Sequence, residues 1–508
     1  MGFHSRDQIV VDDAFLSLIS SKTKYLITML REAEERNGGF HYTRPFLGRL
    51  NLESRIIEEL LDEYGARHNM SWYAFRRSIA AVKAFSQIVH NISHISASFP
   101  CYRIISVKED FLAATKKTLK ESTAALKNSM ENLLKEAEHH GLEPGEVVQD
   151  FSEHLPEGTL RQDRPRRHLE NPGPTIVNLA TTFLNLSEDT ELFGIRDRNK
   201  HLRYLDYVPE PVSEARIRNM EHALHSLQST YDTYLLDSDA EERDEDLLVL
   251  RGHVSTIFHL LETGTVLSHY YERHMLNQDA VVIGEDTLLS ILIDYILAFS
   301  SRFFNAAREL CRNIIHSYAV QGTISVPVPQ YRGFHVRPST LVAKIVTHYG
   351  SDVTLRLNGQ SFNAASPLEL FRVNEAINAA KRKTLGGIVC EIAETMGSVP
   401  REEGVMKKAL RRLIVKLLEN HQIVMYEADF SLEEISYIEG ETLAEFATRG
   451  IAHLLALGRI DIRTGITVEF SGDTRVLSDL KLLAENGYGE DNYGNNIMLP
   501  AELSYLRR

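Results

Sequence analysis

Gly333-Phe334-His335-Val336-Arg337-Pro338 is the stretch on which the reading of this 508-residue chain turns. Before it, Ile324, Val326 and Val328 alternate with Ser325, Pro327 and Pro329, the period-two pattern of a strand. After it, Pro338 suits a first helical turn, where its missing N–H would have had no intrahelical partner. Leu341, Val342, Ile345, Val346 and Tyr349 then share one helical face. His335 is thereby expected at a helix N-terminus, among unpaired backbone N–H groups and the positive end of the helix dipole. Arg337 adds a guanidinium that can bond phosphate oxygens in a bidentate way. The pattern suggests a histidine that accepts a phosphoryl group and passes it on; the plainer alternative is a histidine that only caps a helix.

Working outward, Gly350-Ser351-Asp352 marks a turn, and Val353, Leu355 and Leu357 alternate with Thr354 and Arg356. Asn358-Gly359 is the preferred two-residue hairpin turn, with a return strand over 360–364. Ser366-Pro367 opens a helix that carries Leu368, Phe371, Val373 and Ile377, with serine as N-cap and proline at the first helical position. Ile388 to Ile392 reads as a strand, and Met406, Leu410, Leu413, Ile414 and Leu417 as a last amphipathic helix. The order is βαββαβα, an α+β sandwich with helices over one face of a small sheet.

The segment 322–425 resembles HPr, the histidine-containing phosphocarrier of the phosphoenolpyruvate-dependent sugar phosphotransferase system. The resemblance rests on residues 333–338, the Asn358-Gly359 hairpin, the helix-starting Ser366 and the element order. It implies that His335 takes a phosphoryl group from a phospho-enzyme and gives it to an acceptor protein's histidine, with Arg337 and the helix N–H groups stabilising the phosphate. It also implies a regulatory phosphosite at Ser366, whose plain alternative is an N-cap; Pro367 alters the flank that a modifying kinase would read. Val336 replaces the small residue or threonine usual in the family, Lys344 keeps a basic residue on the docking helix, and Glu369 brings an acid where lysine or a neutral residue is frequent. Residues 378–384 add length, and the segment is embedded in a far longer chain.

Length allows roughly three or four domains of about 100–200 residues. The fold class expected is multidomain: a large, mostly α N-terminal region, the HPr-like sandwich, and a small α/β C-terminal extension. The boundaries read as helical 1–140, a proline- and charge-rich linker 141–175, helical 176–320, the sandwich 322–425 and the extension 427–508. Among the helices, Phe15, Leu16, Leu18 and Ile19 begin one apolar face, Ile56, Ile57, Leu60 and Leu61 another, and Ile79, Val82, Phe85, Ile88 and Val89 a third. The strongest pattern runs from Asp286 to Ile315 through Leu289, Leu292, Tyr295, Ile296, Phe299, Phe303 and Ala306. The basic run 161–167 reads as solvated or as a partner contact, and the acidic run 237–246 as an exposed connection. In the extension, Ser431-Leu432-Glu433-Glu434 is a capping box before a helix with Ile435, Leu443, Phe446, Ile451, Leu454 and Leu455. Ile460–Ile462 and Ile466–Phe470 form a hairpin, and the turn-rich loop 486–496 carries no assigned chemistry.

Composition bounds the function. A net charge of -14 and a pI near 5.9 speak against a general nucleic-acid binder. The N-terminus lacks a signal-peptide pattern, the helix around Leu288–Phe304 is interrupted by Asp294 and Arg302, and three widely spaced cysteines fit a reducing compartment, so a cytoplasmic protein without membrane insertion is expected. His90 and His94 are spaced i, i+4 and His222 and His225 i, i+3, but no carboxylate partner is fixed by spacing, so no metal and no cofactor are expected. The motif-like 40–45 (Phe40-His41-Tyr42-Thr43-Arg44-Pro45) has its arginine one residue too far away and no strand before it. No P-loop and no glycine-rich phosphoenolpyruvate-enzyme motif is present, so the chain is expected to be no enzyme but a carrier phosphorylated by a separate one, with an enzymatic role of the helical region left open although no nucleophile–base pair or metal cluster supports it. Its partners would be that donor enzyme of the phosphotransferase system and an acceptor protein, with homo-oligomerisation left open and the helical region acting as sensor or scaffold. The alternative is an interaction or scaffold protein that uses the HPr-like module for docking, without phosphoryl flow.

Overall fold

The computed structural model describes residues 9–35, 41–107, 110–145, 151, 160, 161, 163, 165–189, 212–275, 282–426, 432, 434–463 and 465–507. The chain divides into two compact units, Met1–Ile314 and Ile315–Arg508. The helical regions 1–140 and 176–320, separate in the sequence reading, thus belong to one unit.

The α-helices described for that first unit are α1 (Asp12–Glu35), α2 (Arg44–Glu63), α3 (Tyr73–Ser98), α4 (Phe111–His139), α5 (Gly173–Asp189), α6 (Glu214–Tyr234), α7 (Asp239–Arg243), α8 (Glu245–Tyr270), α9 (Glu285–Ser290) and α10 (Ala298–Tyr318), and no strand is described in it. α3 is its hub, packed by α2, α4 and α8. Its face Ile79, Val82, Phe85, Ile88 and Val89 is buried as the periodicity predicts. Leu16 and Ile56 are exposed instead. A π-helical turn, Ile291–Leu297, joins α9 to α10; the expected face from Leu289 to Phe303 is buried, and beyond it Ala307 rather than Ala306 is fully buried. The combined helix Glu285–Tyr318 is long and apolar enough to cross a membrane by length and composition, despite Asp294 and Arg302; 67% of its most apolar stretch is buried, as in a core helix.

The basic and acidic runs meet. Arg166 pairs with Glu242 at 3.1 Å, Arg167 donates to the carbonyls of Thr233 and Leu236, and His168 lies 2.6 Å from Asp239. The acidic run is therefore not a plain exposed connection: it forms α7, with Glu241 buried and accepting from Tyr231 Oη at 2.8 Å.

The second unit has two apolar cores. One lies against a four-stranded sheet made of β1 (Gln321–Pro327), β2 (Val353–Leu357), β3 (Gln360–Asn363) and β6 (Thr467–Asp473), in the order β1-β6-β2-β3 with every neighbouring pair antiparallel. Helices α11 (Val336–Tyr349), α12 (Pro367–Thr395) and α15 (Thr474–Glu485) contribute Val342, Ile345, Leu370, Val373, Leu480 and Leu483 to that core. The other core joins the distal half of α12 to α13 (Glu403–Glu419), α14 (Leu443–Ala456) and the small antiparallel pair β4 (Ile423–Met425) and β5 (Ile460–Ile462).

Three sequence expectations are corrected here. Residues 388–392 are not a strand but part of α12, because Leu385, Val389 and Ile392 recur at helical spacing and are buried on one side. The fourth strand of the sheet is β6, inserted between β1 and β2, so 427–508 is no separate extension and the sheet does not close within 322–425. Ile460–Ile462 and Thr467–Asp473 do not form a hairpin with each other, since the former pairs with β4 and the latter with β1 and β2. In addition, α14 begins at Leu443 under a capping box of Thr442 and Glu445, leaving Ile435 ahead of the helix; Ser431 and Glu433 lie outside the described residues. The helix-cap at Ser366, the hairpin at Asn358-Gly359 (φ +51° and +79°) and the helix after His335 stand as predicted.

Two buried histidines make the first unit less stable as the pH falls. His253 accepts the N–H of Ile105 on Nε2 at 3.0 Å and faces the Phe303 carbonyl through Nδ1 at 3.0 Å, and burial lowers its pKa to about 4. His274 accepts from Arg76 at 2.9 Å, and burial, then the charges of Arg76 and Lys83, lower its pKa to about 2. Both are held neutral when folded, so the unfolded chain takes up protons first as the pH falls below about 6.5. Their contribution is full above that pH and decays toward pH 4, each by on the order of 3 kcal/mol. Thermal unfolding of the full chain across this window should show a falling midpoint, with a shallower slope in His253→Gln.

Candidate functional site

A sharp turn delivers His335. Arg332 (φ +52°) and Gly333 (φ +63°) are consecutive left-handed residues, and His335 N–H donates to the Gly333 carbonyl at 2.8 Å. Glycine is required at 333 for a second reason: a Cβ there would lie 2.1 Å from Asn374 Oδ1. The turn is clamped from two sides. Asn374 of α12 donates through Nδ2 to the Arg332 carbonyl at 3.1 Å, and Arg332 N–H donates to Asp461 Oδ2 at 3.1 Å. Arg332 also reaches the Gly458 carbonyl at 3.0 Å. Next to it, Phe334 is wholly buried, edge-on to Tyr488 with ring centroids 5.6 Å apart.

His335 is the N-cap of α11, in extended conformation, and no side chain caps the helix. The first-turn N–H groups of Val336 and Arg337 thus form the positive end of the helix dipole beside His335. The imidazole is about one quarter exposed, with the Tyr331 ring edge-on at 5.5 Å. Its Nε2 lies 2.7 Å from Glu490 Oε2, whose side chain is only 6% exposed. A carboxylate can only accept, so the proton of the neutral ring sits on Nε2 and Nδ1 carries the lone pair. Arg337 lies beside the same loop: its Nε is enclosed, makes no hydrogen bond among the described residues, and would be 3.3 Å from a Cβ at Gly489.

Glu490 is the site residue that the sequence reading missed. It stands in the loop to which no chemistry was assigned, and three consecutive left-handed residues, Gly487 (φ +61°), Tyr488 (φ +58°) and Gly489 (φ +81°), bring it to His335. Tyr488 anchors that loop, with its ring in the sheet core and its hydroxyl donating to the Pro327 carbonyl at 2.8 Å; burial pushes its pKa up, so it stays a donor. Gly489 lets the chain pass close over α11, since a Cβ would meet Leu341 at 2.9 Å. Beyond Glu490, Asp491 accepts from the Asn495 side chain and from the N–H groups of Tyr493 and Asn495, which hold its pKa below the usual carboxylate range. The dense glycines flanking a tyrosine were the only local signal.

Of the other candidates, Ser366 is the N-cap of α12 and accepts the Glu369 N–H at 3.3 Å, and α12 packs on α11. Glu369 pairs with Arg372 at 2.7 Å, and Lys344 lies on the exposed side of α11. In the first unit, His94 packs edge-on to His259 at 4.6 Å and His225 against Phe258 at 5.4 Å. Among the described residues, no three His, Cys, Asp or Glu side chains are grouped as metal ligands. Thr43 and Pro45 of the motif-like segment serve as cap and first turn of α2, and Phe40 lies outside the described residues. No protein-family model, curated protein or solved structure matches this chain.

Replacing Gly333 by alanine forces a left-handed backbone and drives the new Cβ into Asn374. Gly333→Ala should cost about 1–3 kcal/mol, read as a lower urea midpoint with an unchanged slope.

Proposed function

We propose that the second unit is an HPr-like phosphoryl carrier of a phosphoenolpyruvate-dependent phosphotransferase system, with an inserted helical lobe, and that His335 is its acceptor. The observation that carries this reading is the Glu490 carboxylate on His335 Nε2, which leaves Nδ1 as nucleophile at an uncapped helix N-terminus beside Arg337. The order β1-β6-β2-β3 with helices after β1, β3 and β6 supplies the rest of an HPr-like βαββαβα scaffold once the lobe is set aside.

In the step proposed, the Nδ1 lone pair attacks the phosphorus of the donor enzyme's phosphohistidine. The N–P bond to Nδ1 forms as the donor's N–P bond breaks, and the donor imidazole leaves with the electron pair. Nε2 keeps its proton throughout, and Glu490 offsets the positive charge of the phosphorylated ring. The Arg337 guanidinium and the first-turn N–H groups stabilise the phosphoryl oxygens, because such transfers depend on positioning and charge. The reverse step passes the group to an acceptor histidine. Val336 and Leu368, 68% and 71% exposed, supply apolar surface for a partner protein. The same exposed pair also fits the second reading, a docking module through which no phosphoryl group flows.

Incubation with phosphoenolpyruvate and the general phosphotransferase enzyme separates the two. The carrier reading expects an acid-labile, base-stable label that is lost in His335→Ala and is formed on the order of 10–100-fold more slowly in Glu490→Gln. An unlabelled wild type beside a labelled control carrier would discard it in favour of the docking module. Phosphorylation of Ser366 is proposed as its regulator, because charge placed beside Leu368 opposes apolar docking. Ser366→Asp should slow labelling while Ser366→Ala leaves it unchanged; equal rates would reduce Ser366 to a helix cap.

A further inference from the structure

A cleft of about 590 Å³ lies at the base of the inserted lobe, lined by Gln330, Lys381, His421, Tyr426, Asp461 and Arg463. Lys381 occupies the position on α12 between Ile377 and Leu385, where helical spacing joins the two apolar cores and an apolar side chain would fit. It is 2% exposed, and its ammonium makes one hydrogen bond, to Asp461 Oδ1 at 2.7 Å. An ammonium has three donors, so the side chain lining the cleft keeps two of them unused among the described residues. Asp461 is already engaged: Oδ1 also takes the Ile462 N–H at 2.6 Å and Oδ2 the Arg332 N–H at 3.1 Å.

The rim adds more nitrogen. His421 precedes β4 and Arg463 follows β5, and the Arg463 N–H to Gln422 carbonyl bond of 2.9 Å holds the two ends together. Neither side chain makes a hydrogen bond or ion pair among the described residues, and His421 holds a left-handed backbone (φ +54°). Against these nitrogen groups the lining sets one carboxylate, Asp461, already paired. The amides of Gln330, Gln422 and Asn492 complete a lining suited to hydroxyl groups. A buried, incompletely bonded ammonium, with the exposed side chains of Arg463 and His421 at the rim and hydroxyl-binding amides in a small-ligand-sized cleft, defines a site for a compact polar anion.

We propose that this cleft binds the phosphate monoester of a small polyhydroxylated molecule, its dianion held by Lys381, His421 and Arg463. Binding here is linked to His335, because Asp461 holds the turn at Arg332 and Tyr331 lies between Tyr426 (4.8 Å) and His335 (5.5 Å). The site stands whether or not His335 carries a phosphoryl group.

Titration calorimetry on the full chain tests it with glucose 6-phosphate, inorganic phosphate, glucose and citrate. The expectation is binding of glucose 6-phosphate, weaker binding of phosphate and none of glucose, with affinity reduced about tenfold or more in Arg463→Ala and in His421→Ala. Lys381→Met should abolish binding; because that side chain is buried, the two rim variants decide the matter where it fails to fold. Failure of both phosphates to bind the wild type, equal affinity in the rim variants, glucose binding as tightly as its phosphate, or citrate binding in place of the phosphates would each overturn the proposal.

Discussion

The second unit depends on one buried ion pair. Lys381 and Asp461 meet at 2.7 Å with both side chains almost wholly enclosed, at the junction of two apolar cores. Such a pair is expensive to desolvate, and two apolar residues of matching shape would serve stability as well or better. Its value is therefore positional. Asp461 uses its second oxygen on the Arg332 N–H, so the strand β5, the helix α12 and the turn before His335 are fixed to one another through one carboxylate. Losing Asp461 would leave the Lys381 ammonium buried without its hydrogen bond and remove one of the clamps on that turn, whereas losing Lys381 would leave the carboxylate buried with only backbone N–H donors.

The position of β6 explains how such a lobe is accommodated. A sheet ordered β1-β6-β2-β3 is open until β6 arrives, because β1 and β2 have no direct pairing. Everything between α12 and β6 is an excursion, and its closing cost grows only slowly with its length. The excursion is not a floppy loop: it continues α12 without a break and carries a core of its own. Sharing one helix between both cores gives the insertion a rigid root, which a pair of flexible linkers would not.

What the sequence revealed and what it hid follow the range of the interactions involved. The cap at Ser366, the Asn358-Gly359 turn, the helix after His335 and the buried face of α3 were legible because neighbours in sequence determine them. Ile388–Ile392 was misread because a short apolar, β-branched run looks alike in a strand and in a buried helix, and only the partners at Leu385 and Leu410 settle it. The pairing of β6 with β1 and the approach of Glu490 to His335 span well over a hundred residues, and no local pattern encodes them. Lys381, a charge in the buried row between Ile377 and Leu385, drew no reading because 388–392 looked like a strand and the helical row through Leu385 was not seen.

The strain in the loop 487–489 and the charge of Glu490 point the same way. A tyrosine in the left-handed region between two left-handed glycines is conformationally costly, and it persists because Tyr488 is pinned in the core. What that backbone delivers is a carboxylate, a group that repels an incoming phosphate and would be a poor choice if phosphate were only to be bound. Placed on Nε2, it opposes attack at that nitrogen, holds the proton there and leaves the other nitrogen free. In the proposed transfer a phosphoryl group on Nδ1 would make the ring cationic, and the same carboxylate would turn from a liability into a counter-charge. A carboxylate whose effect would be unfavourable before transfer and favourable after it is what the proposed covalent acceptor asks for, whereas a histidine that only caps a helix has no use for it.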